Sequence, residues 1–550
     1  MQLRRESLPY IVLIMAVFAA YANVYGNGFL LDDLVLAVQN RLLLQWRDLP
    51  QLLGHLSLYG TGLPGGFFRP AQEFLFFLVY QVFGFSAAAF HGVNVLLQAC
   101  AACLVYAFGR RLGCGIFTAF SAALIWGVHP LNTEAITYIS GSADPLYVIF
   151  TLLGLLSLFP DFAPRNFLKA GAFFILALAS KESAVVFPAL VVFTLFLVSE
   201  ERLKPATYIR TWPLWVIMAA YFVLLHIVYG GQGMMAANAS GNSLYAHDIA
   251  MRVFTSIATL PTYLGLMLWP HNLHMERTFL VYPGVIAFPS VWAGLALVGA
   301  ALVQMAWGRG KRGLALTWGL LWFAAAFSPY SGVIKPINAL IAEHWMYLPC
   351  IGLALGFSQT IALCVEKNKS RHLRPGIATA VFFAAAALGV VTFRQNRVWR
   401  DPVTFYTHII DCGVKSGRAY SSFGQYYFDI GAYKKAEEQF QKAVAHPSPL
   451  PSLQMTIVHM HLAFIALNVR PNGQGIIGPH EIKQALPDAP HISAAISEFK
   501  KTLAIDPDYY WADVFLAEIY NYQGHLSKAG FYLRRAREIR KTGRNINDLL

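Results

Sequence analysis

Two adjacent carboxylates, Asp32 and Asp33, follow the first long apolar run of the chain, where a helix would leave the core of a membrane. Ionised groups at membrane depth cost roughly 2.5 to 3.5 kcal/mol each, so acids in this place need a reason. One alternative is a helix end that simply meets water. The other is a shared reactive site, which is favoured by polar residues beside four further apolar runs: Arg69, His129, Glu134, Asp144, Lys181, Glu182, Glu343, His344 and Tyr347.

These residue types suit the transfer of a group from a phosphate to a hydroxyl. A hydroxyl nucleophile needs a base at neutral pH, and general-base catalysis contributes roughly 10² to 10⁴ in rate. Asp32 or Asp33 is the natural base, and neighbouring helical positions do not share a face, so we expect different roles for the two acids. A phosphate leaving group needs cations or hydrogen-bond donors; the candidates are Arg69, His129, Lys181 and His344.

Each polar segment also has a structural interpretation. Lys181 and Glu182 can belong to an internally neutralised ion pair, and a lone His344 is more often a hydrogen-bonded interfacial histidine than a catalyst. The segments 129–134 and 140–144 can be ordinary polar turns. The functional interpretation is favoured because acids, histidines and cations from five separate loops fall on one predicted face.

The elements that position these residues are membrane helices. The chain of 550 residues is 56% hydrophobic and 13% charged, with a mean hydropathy of +0.48, which excludes a soluble globular protein. Because a bilayer core needs about 20 apolar residues per helix, we predict about eleven spans: 8–30, 86–109, 114–137, 145–160, 166–180, 183–199, 211–229, 284–306, 313–329, 345–365 and 375–393.

The loops predict the orientation through the positive-inside rule. Sixteen cations flank the spans on one face, which we interpret as cytoplasmic: Arg4, Arg5, Arg110, Arg111, Arg165, Lys169, Arg202, Lys204, Arg210, Arg309, Lys311, Arg312, Lys367, Lys369, Arg371 and Arg374. The N-terminus is then inside and the first outer loop is 31–85. The protein is predicted to be integral to an inner or plasma membrane, with its C-terminal part periplasmic or otherwise extracytoplasmic.

Two apolar stretches need separate interpretation. The stretch 250–270 holds Pro261 and Pro270 beside Trp269, which suits a re-entrant or membrane-surface helix; a single crossing there would invert every later loop. The first apolar run lacks a clear small-x-small cleavage site, so we expect it to stay as a helix.

The net charge of +13 reflects cations near anionic lipid, and no nucleic-acid partner is expected.

The composition changes near residue 395, where a soluble helical-repeat domain of residues 395–550 is predicted. Ala495, Phe499 and Thr502 recur 34 residues later as Ala529, Leu533 and Ala536, the period of a tetratricopeptide repeat. An earlier unit shows the same small and large pattern: Tyr420, Phe423, Gly424, Tyr427, Ala436, Phe440 and Ala443. About three repeats are predicted, with 470–491 as a Pro/Gly-rich loop between them.

The ordered set of motifs resembles the transmembrane-and-tetratricopeptide O-mannosyltransferase family of C-type glycosyltransferases. The set contains Asp32-Asp33, Arg69-Pro70, His91-Gly-Val-Asn94-Val-Leu-Leu-Gln98, His129-Pro-x-x-Thr-Glu134-Ala, Ser140-Gly-x-Ala-Asp144, Ser-Lys181-Glu182 and Glu343-x-x-x-Tyr347-Leu-Pro, followed by the repeats. The fold class expected is therefore all-α, a polytopic bundle of that kind over residues 1–394 with a C-terminal repeat domain. The short repeat array is similar to bacterial members.

The resemblance implies transfer of a sugar such as mannose from a polyprenyl-phosphate carrier to an extracytoplasmic acceptor, with protein Ser or Thr hydroxyls expected. The repeats are expected to hold that acceptor, and membrane lipid is a further partner. Single inverting displacement is expected at Asp32 or Asp33, while orientation of sugar or acceptor falls to Glu134, Asp144, Glu182, Glu343 and Tyr347. One departure is His344, where relatives often have Arg, so a titratable group replaces a fixed cation.

No cofactor is expected, because the chain lacks an Asp-x-Asp motif and clear metal-ligand spacing; a divalent metal is left open. Alternatives from other classes also stay open. A transporter would hold its acids near the midplane rather than at one surface. A noncatalytic scaffold would only recruit a partner through its repeats, and a related enzyme would move an oligosaccharide or aminosugar to lipid or glycan.

Overall fold

The computed structural model describes residues 2–61, 66–159, 161–229, 248–277, 288–308, 310–337, 339–366, 373–446, 453–472 and 477–541. Over these residues the regular structure is helical and contains no strand, so the all-α prediction is confirmed. The chain divides into two compact units, the first reaching Phe405 and the second beginning at Tyr406. The first contains all the predicted site residues.

The helices of the first unit follow the apolar runs of the sequence. They are α1 Gln2–Ala20, α2 Leu49–Gly54, α3 Pro70–Phe83, α4 Ala87–Arg111, α5 Ile116–Gly127, α6 Thr133–Ile136, α7 Ala143–Leu158, α8 Pro164–Ser180, α9 Phe187–Val198, α10 Ala206–Ile209, α11 Trp212–Val228, α12 Ile249–Leu268, α13 Pro289–Trp307, α14 Gly310–Phe327, α15 Pro349–Glu366 and α16 Leu373–Gln395.

Seven helical stretches in the described part of the chain are long and apolar enough to cross a membrane, which confirms an integral membrane protein. They are Ser7–Gly26, Ala87–Arg111, Ile139–Leu158, Ile249–Leu268, Pro289–Trp307, Pro349–Glu366 and Leu373–Trp399. The number of spans, about eleven, stays a prediction. Several predicted spans occur as shorter apolar helices; α5 has 12 residues and reaches about 18 Å, less than a bilayer core of about 30 Å.

Two predicted spans end earlier than their apolar runs. Helix α1 ends at Ala20, and the chain then forms a short turn at Val24–Gly26 before the two aspartates. The predicted span 114–137 ends at Gly127, because His129 and Pro130 begin a tight 3-10 turn that leads to the short helix α6. Both early ends turn the chain toward the candidate site residues.

The predicted outer loop 31–85 contains a packed core of its own. Ala37, Leu43 and Leu52 are buried against Phe76 and Phe77 of α3. The sequence did not lead us to predict α3, since its apolar run Pro70–Phe83 is shorter than a span. This packing holds the residue before α3, Arg69, in a fixed place.

Helix α12 forms within the stretch whose crossing was in question. It is continuous from Ile249 to Leu268, and its length and composition would allow a crossing. However, Arg252 near its start approaches the Gly332 carbonyl at 3.5 Å, and Tyr263 near its end accepts from the Ala342 N–H at 3.2 Å. Both contacts are with the segment between α14 and α15. The prediction of a re-entrant or membrane-surface helix stays a prediction.

The opposite ends of the helices carry the predicted cytoplasmic cations. Arg110 at the end of α4 donates to the Cys114 carbonyl at 2.6 Å, and Arg312 near the start of α14 lies 3.7 Å from Cys364 near the end of α15. Arg309, Lys367, Lys369 and Arg371 lie outside the described residues. The orientation relative to the membrane stays a prediction.

The second unit consists of paired helices, as expected for a repeat domain. Its helices, together with α17 at the boundary, are α17 Pro402–Asp411, α18 Gly417–Asp429, α19 Tyr433–Ala445, α20 Leu453–Ala466, α21 Pro479–Ala485, α22 Ile492–Ile505, α23 Tyr510–Tyr522 and α24 Leu526–Lys541. Helix α18 packs on α19, α20 on α22, and α23 on α24. Gly424 of α18 must be small, because a Cβ there would lie 2.7 Å from the Phe440 ring.

Two details of the repeat prediction are wrong. The segment 470–491 is not simply a loop, because α21 forms within it and buries Ile482; the Glu481 side chain caps this helix by accepting from the Gly478 N–H at 2.8 Å. Leu533, predicted as a packing position, is 40% exposed. Residues 473–476 lie outside the described part. The tetratricopeptide assignment itself stays a prediction.

Candidate active site

The polar face of α4 fixes two of the turns that carry site residues. The Asn94 side chain donates to three carbonyl oxygens of residues 136, 138 and 139 at 3.1 to 3.3 Å. One turn further along, Gln98 donates to the Gly127 carbonyl at 2.8 Å and accepts from the Tyr347 hydroxyl. Positions four apart lie on one helix face, so α4 holds the whole 127–139 connection from one side.

Asp33 is buried and fully hydrogen-bonded. Its Oδ1 accepts from the Ser140 N–H at 2.7 Å and from the Ser140 hydroxyl at 2.6 Å, while Oδ2 accepts from the Leu30 N–H at 3.0 Å. Burial raises the pKa of Asp33 to about 7. The three hydrogen bonds favour the carboxylate and lower the pKa, but burial has the larger effect. With 1% of its surface exposed, Asp33 fixes the turn after α1 to the 140–142 turn.

Asp32 has the opposite environment, as expected for adjacent residues on different faces. The residue is exposed, and its backbone N–H donates to the Tyr138 hydroxyl oxygen at 3.0 Å. Surrounding protein atoms displace water from its carboxyl group and raise the pKa, while the Tyr138 hydroxyl and the Arg69 charge oppose this. Asp32 therefore presents an accessible carboxylate of increased basicity beside a cation.

Arg69 forms a bidentate pair with Glu182. Its Nε donates to Oε2 at 3.0 Å and its Nη2 to Oε1 at 2.8 Å, and the guanidinium lies 4.1 Å from the centre of the Phe67 ring. Gln72, the third residue of α3, donates to the Ser140 carbonyl at 2.8 Å. The start of α3 is therefore fixed to the same turn that binds Asp33.

Lys181 forms a second, more deeply buried pair. Its Nζ donates to the Asp144 carboxylate at 2.7 Å, and the two side chains are 5% and 3% exposed. The rings of Tyr147 and Tyr330 lie 5.9 and 5.6 Å from the ammonium group. Sequence reasoning expected Lys181 either to bind phosphate or to belong to a neutralised pair; the structure gives it a carboxylate partner, although Asp144 rather than Glu182.

A third group joins the 134 turn to the segment before α15. Glu134 accepts from the N–H groups of Glu343 and His344 at 2.7 and 3.0 Å, and the His344 ring nitrogen lies 2.9 Å from its other oxygen. Glu343 accepts from the Arg277 guanidinium at 2.8 Å. Burial and the nearby Glu134 raise the pKa of Glu343 to about 8. Burial raises the pKa of Glu134 too, but His344 and the two N–H groups outweigh it and the net shift is downward.

Two predicted ligands have structural partners instead. The nitrogens of His129 lie 3.0 Å from the Met267 carbonyl and 3.2 Å from the Leu131 N–H, and burial lowers its pKa to about 4, so it is neutral at pH 7. Tyr347 is fully buried, with its hydroxyl on Gln98 and its ring 4.9 Å from Trp126. The predicted roles of His129 in phosphate binding and of Tyr347 in sugar binding conflict with these positions.

These three groups are continuous. Arg69 acts electrostatically on Asp32 and on Tyr330, and the Tyr330 ring stacks on Trp345, next to His344, at 5.4 Å. On the other side, the Tyr138 ring stacks on Trp399 at 5.5 Å. The structure thus brings nine of the eleven predicted residues into one chain of contacts at one end of the bundle: Asp32, Asp33, Arg69, Glu134, Asp144, Lys181, Glu182, Glu343 and His344.

Three residues at this site were absent from the predicted set. The Tyr138 hydroxyl accepts from the Asp32 N–H, and the Arg277 guanidinium donates to the Glu343 carboxylate. Lys335 is close enough to Glu182 for the carboxylate charge to act on its ammonium group. Burial lowers the pKa of Lys335. No carboxylate of the described residues lies within ion-pair distance of Lys335, unlike Arg69 and Lys181. The signal for Lys335 in the sequence is its place beside Pro336 in the last polar loop.

No three His, Cys, Asp or Glu side chains in the described ranges gather as a metal site would require. The expectation of a reaction without cofactor stays a prediction. What the residues offer directly is one accessible carboxylate, Asp32, beside the Tyr138 hydroxyl and under the electrostatic influence of Arg69.

No family model matches the chain. Curated relatives do match it. A protein O-mannosyl-transferase of Caenorhabditis elegans is 22% identical over 442 residues, which cover 79% of this chain and 62% of the relative. TMTC4 of Homo sapiens, also a protein O-mannosyl-transferase, is 22% identical over 481 residues, covering 76% and 64%. Tmtc2 of Drosophila melanogaster is 28% identical over 338 residues, covering 56% and 35%.

These matches confirm the resemblance to the transmembrane-and-tetratricopeptide O-mannosyltransferase family. The identity is low but extends over most of the chain in several relatives. The chain spans less than two thirds of the length of each of these three relatives.

Proposed function

We propose that this protein is a membrane glycosyltransferase that moves a monosaccharide, mannose in the first instance, from a polyprenyl-phosphate carrier to a Ser or Thr hydroxyl of an extracytoplasmic protein. The names of the relatives support the sugar and the protein acceptor. The polyprenyl carrier is supported by the membrane setting of the site, since the candidate residues lie at the ends of apolar helices.

The observation that carries the proposal is the different environment of the two aspartates. All of the hydrogen bonds to Asp33 come from the protein, whereas Asp32 is exposed with a raised pKa. A base must contact the proton that it removes, and its pKa should approach the working pH. We therefore assign Asp32 as the base and Asp33 as the residue that positions it.

In the proposed step, the acceptor hydroxyl loses its proton to Asp32 as its oxygen attacks the anomeric carbon. The bond from that carbon to the phosphate oxygen breaks, and polyprenyl phosphate leaves with the bonding electrons. Attack on one side and departure on the other invert the configuration. No covalent intermediate is required, because the acceptor itself is the nucleophile.

The departing phosphate needs positive charge that is not already neutralised. Glu182 uses the Nε and Nη2 faces of Arg69, and Asp144 neutralises Lys181. Lys335 has no such partner among the described residues, so we assign it, with the remaining Nη1 of Arg69, to the phosphate. Glu182 and the Lys181–Asp144 pair then position Arg69 and the surrounding tyrosines rather than binding the phosphate.

Glu134, Glu343 and His344 lie on the far side of Tyr330 and Trp345 from Lys181. His344 is 24% exposed in this group, while Glu134 and Glu343 are buried. We assign His344 to sugar or acceptor hydroxyls and the two glutamates to holding it. The repeats are proposed to bind the acceptor protein on the extracytoplasmic side, and the reaction is proposed to need no metal.

The test is a donor panel with the purified full chain and an extracytoplasmic acceptor protein. Radiolabelled polyprenyl-phosphate mannose, other polyprenyl-phosphate sugars and nucleotide sugars are supplied separately, with and without chelator. We expect label to reach protein only from a polyprenyl-phosphate sugar, and only with an active Asp32. Transfer from a nucleotide sugar at an equal rate would refute the donor, and label in lipid or glycan alone would refute the acceptor.

A further inference from the structure

An apolar groove of about 840 Å³ lies between α1, α5 and α16, away from the ion pairs of the candidate active site. Its walls carry small and aromatic side chains, including Ala16, Phe120 and Ala385. Two of the residues that line the groove are charged, Arg394 and Arg397. The groove therefore combines a long apolar surface with a cationic end.

The two arginines have no charge partner in the described part of the chain. Arg397 lies over the Phe393 ring at 5.4 Å, and both arginines are exposed. The next arginine, Arg400, differs because it pairs with Asp401 at 2.9 Å. The loops predict that this end of α16 is extracytoplasmic, where the positive-inside rule disfavours clustered arginines. Their presence beside an apolar groove therefore calls for an anionic partner.

We propose that this groove binds an anionic glycerophospholipid of the surrounding membrane, with acyl chain along α16 and phosphate at Arg394 and Arg397. Charge complementarity favours an anionic lipid over a zwitterionic one. Both arginines lie within the last six residues of the candidate span Leu373–Trp399, where a headgroup phosphate would lie, whereas the polyprenyl-phosphate donor must reach Arg69, whose side chain is 14% exposed. The bound lipid would brace α16 and the turn that follows it, where Asn396 donates to the Ala20 carbonyl at 3.0 Å and accepts from Thr137 at 2.8 Å.

The groove can be filled without disturbing the fold. A Cβ added at Gly389, which lines the groove, meets no atom within 4 Å. Gly376 on the same helix is equally open but does not line the groove. Leucine favours a helix over glycine by somewhat less than about 1 kcal/mol, so Gly389→Leu should block the lipid chain while keeping α16 intact, and Gly376→Leu is its matched control.

The test is native mass spectrometry of the full chain in detergent, titrated separately with phosphatidylglycerol, phosphatidylcholine and polyprenyl phosphate. We expect phosphatidylglycerol to bind preferentially. Arg394→Gln with Arg397→Gln should weaken it by roughly tenfold to thirtyfold, from about 1 kcal/mol per arginine. Gly389→Leu should also weaken it, while Gly376→Leu and Arg400→Gln should leave it unchanged.

Equal binding of phosphatidylglycerol and phosphatidylcholine would overturn the proposal, as would equal loss in the control variants. Displacement of phosphatidylglycerol by an equal concentration of polyprenyl phosphate would overturn it by assigning the groove to the carrier. The readout is a bound lipid mass rather than sugar transfer, so the result is independent of whether the proposed transferase activity holds.

Discussion

Substitution of the two aspartates by asparagine should separate catalysis from structure. Asp32→Asn removes the proposed base but keeps a side-chain oxygen that can accept from the Tyr138 hydroxyl, and the backbone N–H of residue 32 still donates to Tyr138. We expect kcat for labelled mannose transfer to fall by roughly 10² to 10⁴. The thermal unfolding temperature of the purified chain should stay unchanged.

Asp33→Asn should act on stability first. Both oxygens of Asp33 accept from N–H or O–H donors, so an amide nitrogen in either position faces a donor. A buried donor left unpaired costs about 1 to 3 kcal/mol, and we expect a lower unfolding temperature together with lower activity. Asp488→Asn, at an exposed acid of the second unit, is the matched control.

Two results would refute this reasoning. One is full activity in Asp32→Asn. The other is a folded, fully stable Asp33→Asn protein whose kcat falls as far as predicted for Asp32, which would make Asp33 the base. Both variants are measured at saturating donor, so that a change in donor affinity does not imitate a change in kcat.

Three further substitutions test the surrounding charges. Lys181→Met should destabilise the chain by roughly 3 to 5 kcal/mol because it leaves Asp144 buried and unpaired, and adding Asp144→Leu should recover part of that loss in an unfolding titration. Lys335→Ala should raise the donor KM by about tenfold or more, from the loss of one charge-assisted hydrogen bond, at an unchanged unfolding temperature; an unchanged KM contradicts its role. Because the folded pKa of Glu134 lies below its ordinary value of 4.5, the stability it contributes is present above that value and is lost as the pH falls through the folded pKa. The unfolding temperatures of wild type and Glu134→Gln should therefore converge on acidification, and a constant difference would contradict the downward shift.

The all-α fold, and the position of the site residues at one end of the helical bundle, could be predicted from the sequence. The apolar runs indicate the helices, and the charged loops indicate which helix ends lie on the same side. Asp32, Arg69 and Lys181 each follow or precede an apolar run. The pairing could not be predicted. Lys181 binds Asp144 rather than its neighbour Glu182, because the chain turns after α8 and directs adjacent side chains to different helices.

The lengths of helices were harder to predict. The run 114–137 is apolar throughout most of its length, but His129 and Pro130 end the helix by forming a tight turn with its own hydrogen bonds. His129 drew attention as a titratable residue near a membrane end. Only the fold shows that backbone groups of Leu131 and Met267 lie beside both ring nitrogens.

The configuration of the transferred sugar tests the central claim most directly. Polyprenyl-phosphate mannose of defined anomeric configuration is supplied to the full chain with an acceptor protein, and the anomeric centre of the glycopeptide product is assigned by NMR. With Asp32 as base and the acceptor as sole nucleophile, the configuration is inverted in the wild type and product is nearly lost in Asp32→Asn. Retained configuration would require a covalent intermediate or a different base and would contradict the mechanism.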